Sequence, residues 1–218
     1  LKKPSTVKAL SYLYPITTKT YVSELSGVIE ITWFNGVKMV DTENANYSYG
    51  TLQNILKFGL EKIDLNTVNN VLLLGLGAGS VLETLQKDFN FQHPITAVEL
   101  DPVMITICKE EFGIEENEQL KIVQDDAFDF LKKDQESYDL IIIDLFIDTE
   151  VPEVVYTSDF FQLIHERLTA NGQFIFNAAL DHSAESTQQK LQQVLKAFET
   201  KVYSKVEKVN TLILGSKK

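Results

Sequence analysis

Three glycines at alternate positions, Gly75, Gly77 and Gly79, followed about twenty residues later by Glu99, are the part of this sequence best suited to chemistry. Glycines at that density let a backbone turn sharply and approach a ligand closely. A carboxylate at that distance lies where a βαβ unit returns to the same edge of its sheet, and it can accept hydrogen bonds from both hydroxyls of a ribose. Val71-Leu72-Leu73-Leu74 before the turn and Ala97-Val98 before Glu99 supply the two buried strands. The stretch reads as a nucleoside-binding α/β unit. A nicotinamide or flavin site would want Gly-x-Gly-x-x-Gly, whose third glycine falls at position 80, and that residue is Ser80. Taken alone, the glycines are also consistent with a tight strand-to-helix turn that binds nothing, and Glu99 weighs against that reading.

In an open α/β sheet, ligands bind beyond the carboxyl ends of the strands. Acids at those ends are therefore the next candidates. Asp101 precedes Pro102 and reads as a helix N-cap. Asp125 and Asp126 precede Ala127, where a carboxylate could cap a helix or accept a hydrogen bond from an adenine amino group; the sequence leaves both readings open. Asp144 ends the apolar run Leu140-Ile141-Ile142-Ile143. A carboxylate there is costly unless the strand end is open or the group is paired, so Asp144 is a candidate to orient or deprotonate an acceptor. A loop with Asp148, Glu150 and Glu153 follows, and Asn177 ends the fifth strand. His93 in a turn, His165 on a helix surface and His182 have no metal-ligand spacing, so no metal site is expected. Cys108, the single cysteine, falls on the apolar side of a helix and reads as a buried thiol in a reducing compartment.

The elements that must position these residues follow from periodicity. Residues 18–41 alternate in three β-branched and aromatic runs, 18–22, 28–33 and 37–40, the last two joined by Asn35-Gly36, a tight-hairpin signal. They predict a small antiparallel cap over residues 1–46, with Trp33 as a packing residue and Leu10, Leu13 and Tyr14 in a short packed segment. A helical period runs from Tyr47 to Ile63 with Leu52, Ile55, Leu56 and Leu60 on one face. Beyond it, residues 47–218 form one α/β domain. Strands are expected at 70–75, 95–99, 120–124, 139–144 and 173–178, and helices at about 79–89, 102–112, 127–133, 158–169 and 184–198. Asn171-Gly172 should end a helix and open the next strand. Residues 202–203 and 211–214 should form a closing antiparallel pair.

Composition narrows the function. The chain has 218 residues, a hydrophobic fraction of 44% and a formal net charge of −11. That charge disfavours nucleic acid and suits a cationic substrate. No apolar run spans a bilayer, and Leu1-Lys2-Lys3-Pro4 lacks an apolar segment behind it, so neither a membrane nor a signal peptide is expected and a cytoplasmic location is. The edge of the N-terminal sheet could pair with another subunit to give a homodimer.

Taken together, Tyr47-Ser48-Tyr49-Gly50, the glycine turn, Glu99-Leu100-Asp101, Asp126-Ala127 and the strand ending at Asp144 resemble the spermidine synthase family, the polyamine aminopropyltransferases. That family lies within the wider S-adenosylmethionine-dependent methyltransferase fold. The resemblance implies a doubly wound, Rossmann-like α/β domain, its mostly parallel sheet closed by an antiparallel strand, below the N-terminal antiparallel β cap. It implies S-adenosylmethionine or its decarboxylated form as cofactor, with Gly75, Gly77, Gly79, Glu99, Asp126 and Ala127 around it. Asp144 and Tyr49 would be catalytic, and Tyr49 and Asp148 would meet a small acceptor such as a cationic amine. Three positions depart from the family. Its Gly-Gly-Gly-Asp-Gly is here Gly75-Leu76-Gly77-Ala78-Gly79, so the aspartate that would contact the donor's aminopropyl amine is Ala78. Its Asp-Ser-Ser-Asp-Pro is Asp144-Leu145-Phe146-Ile147-Asp148, with Ile147 at the second aspartate. Its glutamate two residues after the tyrosine is Thr51. The nucleoside half is intact and the amine half altered, so methyl transfer to a small acceptor is the expected reaction, since a reactive sulfonium methyl needs mainly alignment. Divergent aminopropyl transfer is the alternative, and a non-catalytic binding module the third reading.

Overall fold

The computed structural model describes residues 4–42, 46–48, 51–146, 151–178, 185–207 and 210–218. The chain opens with helix α1 (Pro4–Leu10) and an antiparallel sheet of strands β1 (Ile16–Ser23), β2 (Gly27–Phe34), β3 (Val37–Thr42) and β4 (Asn46–Ser48), in that order. Asn35 and Gly36 both have positive φ, the geometry a two-residue hairpin requires. Their backbone N–H groups are satisfied from outside the sheet. Asn35 donates to the Ser11 carbonyl and Gly36 to Ser11 Oγ, each at 3.0 Å. The N-terminal segment is therefore held through buried Ser11 and Val7. Leu13 and Tyr14, expected to pack, are exposed, because the chain leaves α1 along the surface to reach β1. Trp33 is half-buried, as a packing residue should be.

The helical period expected from Tyr47 begins later. Asn46–Ser48 pairs with β3 as a fourth strand, and helix α2 spans Thr51–Leu60. Ile55, Leu56 and Leu60 are buried on its inner face, and the side chain of Leu52 lies outside the described residues.

The large sheet has seven strands. They are β5 (Val71–Leu74), β6 (Ile95–Glu99), β7 (Leu120–Gln124), β8 (Tyr138–Ile143), β9 (Leu168–Asn177), β10 (Phe198–Val206) and β11 (Asn210–Lys217), in the order β10-β11-β9-β8-β5-β6-β7. β5 to β9 are parallel to one another, and β11 runs antiparallel to β9 and β10. Helices α3 (Ser80–Lys87), α4 (Pro102–Phe112), α5 (Ala127–Lys133), α6 (Ser158–Arg167) and α7 (Glu185–Val194) complete the doubly wound domain. Every residue of β5 is buried, as a parallel strand covered on both faces must be. Leu73, Ile142, Ile175 and Leu212 belong to the apolar cluster that takes in α2 and α3. Leu72, Leu74, Ile141, Ile143, Phe174 and Phe176 belong to the one formed with α5 and α6. Among the described residues no helix is long and apolar enough to cross a membrane.

A boundary in the large domain also differs from its sequence signal. Helix α6 ends at Arg167, and Leu168 is already extended and pairs with Tyr138. The register then slips, so that Leu140 faces Gln173. Asn171-Gly172 thus sits inside a bulged strand. A Cβ at Gly172 would lie 2.9 Å from both the Thr169 nitrogen and the Tyr138 carbonyl oxygen, which explains the glycine without a helix end.

The small sheet docks on α4 and the glycine turn. Ile29, Ile31 and Val40 cluster with Ala78, Met104 and Ile107. At the rim, Lys19 and Tyr21 bond Glu110, and Tyr21 and Lys38 bond Glu111. The better-protected link is Asp101, only 3% exposed, which accepts from Ser23 Oγ at 2.6 Å, Ser26 Oγ at 2.7 Å and the Val103 N–H at 2.9 Å. It is the N-cap of α4, with Pro102 in the first turn, as the sequence indicated. Replacing Asp101 by Ala removes the cap and leaves two serine hydroxyls without their acceptor. Urea unfolding should show a loss of about 2–4 kcal/mol; a loss under about 1 kcal/mol would mean that the two sheets are held elsewhere.

Candidate functional site

The carboxyl ends of β5 to β9 meet at one edge, and hydrogen bonding carries the sheet one residue past β5, β7 and β8. Asp144 N–H donates to the Leu74 carbonyl at 2.9 Å, Gly75 N–H to Val98 at 3.0 Å and Asp125 N–H to Glu99 at 3.2 Å. Between β5 and β8 the strand order reverses, and such a switch point leaves a crevice above the sheet.

The glycine turn fills one side of that crevice. Gly75 has φ 92° and Gly79 φ 86°, both in the left-handed region. A Cβ on Gly75 would lie 2.1 Å from the Asp144 carbonyl oxygen. The turn therefore packs directly on the backbone that presents Asp144. The Gly77 N–H donates to Glu99 Oε2 at 2.8 Å, and the Asp101 N–H donates to Glu99 Oε1 at 2.9 Å. Glu99 is thus clamped beneath the turn by two backbone groups. Burial raises its pKa, and the same two bonds pull it back. Cys108 Sγ donates to the Gly77 carbonyl at 3.0 Å, and burial pushes its thiol pKa up, so it stays protonated as a support of the turn.

At the next strand end, Asp126 Oδ1 accepts from the Phe128 and Asp129 N–H groups at 2.9 and 3.0 Å and caps α5. Of the two readings left open by the sequence, capping is the interaction present, and Asp126 Oδ2 takes no part in it. Asp125 instead pairs with Lys133 at 2.9 Å, which holds its carboxyl below the usual range. Ala127 begins α5 and is buried.

Asp144 Oδ1 accepts from Asn177 Nδ2 at 2.9 Å, and Asn177 Oδ1 accepts from Asn210 Nδ2 at 2.9 Å. Burial pushes the Asp144 pKa up to about 6 against the lowering effect of the Asn177 bond. Nearby, Tyr156 donates its hydroxyl to the Ala178 carbonyl at 2.8 Å, which fixes the chain just after β9. Asn210 was not singled out from the sequence. Its signal was topological, because an antiparallel closing strand begins where the parallel strands end.

Gly75, Gly77, Gly79, Glu99 and Asp144 are therefore brought together, with Asp126 at the adjoining strand end. Ala78 is fully buried, with the apolar contacts of the small sheet around it. Tyr49, Ile147, Asp148, Glu150 and His182, and the side chain of Thr51, lie outside the described residues. Glu153 opens a single 3-10 turn, Glu153–Tyr156. His165 is half-buried, its ring 5.5 Å from that of Phe198, so it is not the open surface residue expected.

Residues 52–215 match the spermine/spermidine synthase domain. The chain belongs to the spermine/spermidine synthase family. Among curated proteins, polyamine aminopropyltransferase 2 of Aquifex aeolicus is 37% identical over 123 residues, which are 52% of this chain and 24% of that protein. The chain thus matches about a quarter of that relative's length. Among solved structures, a probable spermidine synthase from Corynebacterium glutamicum superposes with a TM-score of 0.67 at 24% identity, covering 93% of this chain and 81% of that one. Human methyltransferase-like protein 13, solved with SAH, also gives a TM-score of 0.67, at 23% identity and covering 78% of this chain and 83% of that one. At these identities the structural likenesses establish the fold, a Rossmann-like methyltransferase fold with a closing antiparallel strand.

A methyl group at position 75 tests the packing of this site. Gly75→Ala combines an unfavourable φ with displacement of the Asp144 backbone, and should cost at least about 2 kcal/mol in denaturant unfolding. An unfolding midpoint equal to that of the parent protein would show that the turn and β8 are not in forced contact.

Proposed function

We propose that this protein transfers an aminopropyl group from decarboxylated S-adenosylmethionine to the nitrogen of a small amine. The observation that carries the reading is Asp144: a half-buried carboxylate one residue past β8, its backbone packed against the glycine turn and its side chain held, among the described residues, by the Asn177 amide. Family membership supports it, as do the relatives named for aminopropyl transfer.

The residues present suit the donor's nucleoside. A carboxylate offers about four acceptor positions. Glu99 uses one on each oxygen for backbone N–H groups, which leaves capacity for two ribose hydroxyls. Asp126 Oδ2 is available for an adenine amino group, beside Ala127. The backbone at Gly75, Gly77 and Gly79 allows close approach. When bound, the donor supplies an electrophilic carbon on a sulfonium whose thioether leaves without charge.

This chain's own task is then to deliver a neutral amine. An ordinary alkylammonium has a pKa near 10.4 and an ordinary aspartate one near 3.9, so proton transfer between them costs about 9 kcal/mol. With Asp144 at about 6 the cost falls to about 6 kcal/mol. Burial of the ammonium in the same crevice lowers it further. Asp144 takes a proton from the ammonium and becomes neutral; the freed amine lone pair forms the new N–C bond as the C–S bond of the sulfonium breaks, and the positive charge passes from sulfur to the product ammonium. Tyr49 and Asp148 are proposed to line the amine side, and the net charge of −11 favours a cationic acceptor.

Methyl transfer from S-adenosylmethionine is the second reading, and Ala78 favours it. A buried methyl group stands where aminopropyl recognition would want a carboxylate, and a carboxylate among Ile29, Ile31 and Met104 would be costly. Incubating the protein with each donor and a panel of diamines, with products identified by mass spectrometry, separates the two. Aminopropylated amine from the decarboxylated donor supports the first reading; methylated amine from the full donor replaces it with the second; no product with either donor rejects both.

Asp144→Asn supplies the mechanistic check. It keeps an acceptor for Asn177 and removes the base, so turnover should drop about 10²–10⁴-fold. The parent rate should rise with pH through about 6 as Asp144 ionises. Stability runs the other way. The folded pKa lies above the unfolded one, so the native state holds the extra proton and loses stability as pH rises from about 4 to about 6. D144N should lack that loss and melt no lower than the parent at pH 7.5, as thermal scans at pH 4.5 and 7.5 would show.

A further inference from the structure

The pairing of Asn177 with Asn210 has a consequence for Asp144 that its own hydrogen bond does not explain. An ionised carboxylate only accepts hydrogen bonds. Asn177 must therefore turn its NH₂ group toward Asp144, which turns its carbonyl oxygen the other way. Asn177 is only 4% exposed, so that oxygen needs a donor from the protein, and Asn210 Nδ2 provides it at 2.9 Å. The strand geometry makes this possible. β11 is antiparallel to β9 and pairs Leu212 with Asn177, so Asn210, two residues earlier in β11, lies on the same face just beyond Asn177. Asp144, one residue past the parallel pair Ile143–Phe176, lies on that face as well.

We propose that Asn210 is a positioning residue: it fixes the direction of a two-amide chain that ends on Asp144 and so holds Asp144 as the proton acceptor of the site. This rests on the role given to Asp144 above. The chain has an alternative direction. If Asp144 carries a proton and donates it to Asn177, both amides must reverse, and Asn210 must accept. The two directions are not equal in strength. Only the first ends on a charge, and a hydrogen bond to an ionised group is roughly twice as strong as one between neutral groups. Donation from Asn210 also polarises the Asn177 amide and strengthens its bond to the carboxylate. Asn210 therefore favours the ionised form of Asp144 while touching neither it nor a substrate.

Other titratable groups at this end of the sheet do not account for the effect. Glu99 from β6 is clamped by backbone N–H groups, Asp126 caps α5, Cys108 from α4 bonds the Gly77 carbonyl, and Tyr156 bonds the Ala178 carbonyl. Of the described residues, the one whose hydrogen bond acts on Asp144 is Asn177, opposing burial.

The test reads Asp144 directly, by ¹³C NMR titration of carboxyl-labelled aspartates, with the Asp144 signal assigned by its absence in D144N. Asn210→Leu removes the donor and blocks a replacement water; if leucine prevents folding, Asn210→Ala removes the same donor. In the neutral variant the Asp144 midpoint should rise by about half a unit to one unit. Asn210→Asp, close in shape and accepting only, should raise it by about one to two units, because it forces the reversed direction and adds a like charge. An unmoved midpoint in the neutral variant overturns the proposal, and so does a shift confined to N210D, which the added charge alone explains. The acid limb of the rate profile should move with the titration. If the midpoint moves but no donor and amine react, the proposed reaction fails while the positioning role stands. If turnover is found and the midpoint is unmoved, the positioning role fails.

Discussion

The contact on which this site depends is a backbone-to-backbone one, between Gly75 and the carbonyl of Asp144. It is too close for any side chain at position 75. Because β5 and β8 are paired in register up to Leu74 and Ile143, the first residue past each strand has little freedom. The turn must leave the sheet with a positive φ, and the carboxylate must leave it beside the turn. Two further features then follow. The N–H of Gly77 comes within reach of Glu99, whose strand lies on the other side of β5, and the helix after the turn starts from Gly79 with no side-chain cap. The proposed nucleoside pocket and base would in this way rest on the rigid ends of four adjacent strands, which is the precision that group transfer demands.

The small N-terminal sheet is coupled to the same turn. Ala78 is the point of contact, and the apolar side chains of β2, β3 and α4 close over it. This links the departure at position 78 to architecture. The position at which the resemblance implies an aspartate is here part of the seam between the two sheets. The polar links at Asp101, Glu110 and Glu111 surround that seam, and the exposed ion pairs among them contribute little beside buried Asp101. Ala78 therefore belongs to the docking of the cap, where a carboxylate would be costly.

Most of the large sheet was legible in the sequence because parallel strands buried on both faces leave uninterrupted apolar runs, and each run here ends in a polar residue. Glu99, Asp126, Asp144 and Asn177 could each be placed at a strand end for that reason. The failures have local causes. Tyr47 fits both a helical period and a short edge strand, and pairing with β3 decides the matter in a way no local pattern records. Asn171-Gly172 has the composition of a helix stop, yet its glycine answers a bulge in which Tyr138 and Thr169 crowd the same space. Asn210 was invisible for a different reason. Its relation to Asp144 spans 66 positions and exists only because β11 runs against its neighbours.

The acids at this end of the sheet differ in how fully their burial is compensated. Burial penalises a carboxylate unless donors replace the lost water. Asp101 has three such donors, two hydroxyls and an N–H, and serves to hold the cap sheet. Glu99 has two backbone donors, one on each oxygen, which fix its position but leave it able to accept more. Asp144 has one among the described residues, a side-chain amide on a single oxygen. The series runs from fuller compensation to partial, and Asp144, the least compensated of the three, has its pKa pushed up to about 6 by burial. A carboxylate given every donor it can use is a strong anchor and a poor base. One that lacks a donor while still held in place keeps the capacity to take a proton near neutral pH, and that is the property an amine-activating group requires.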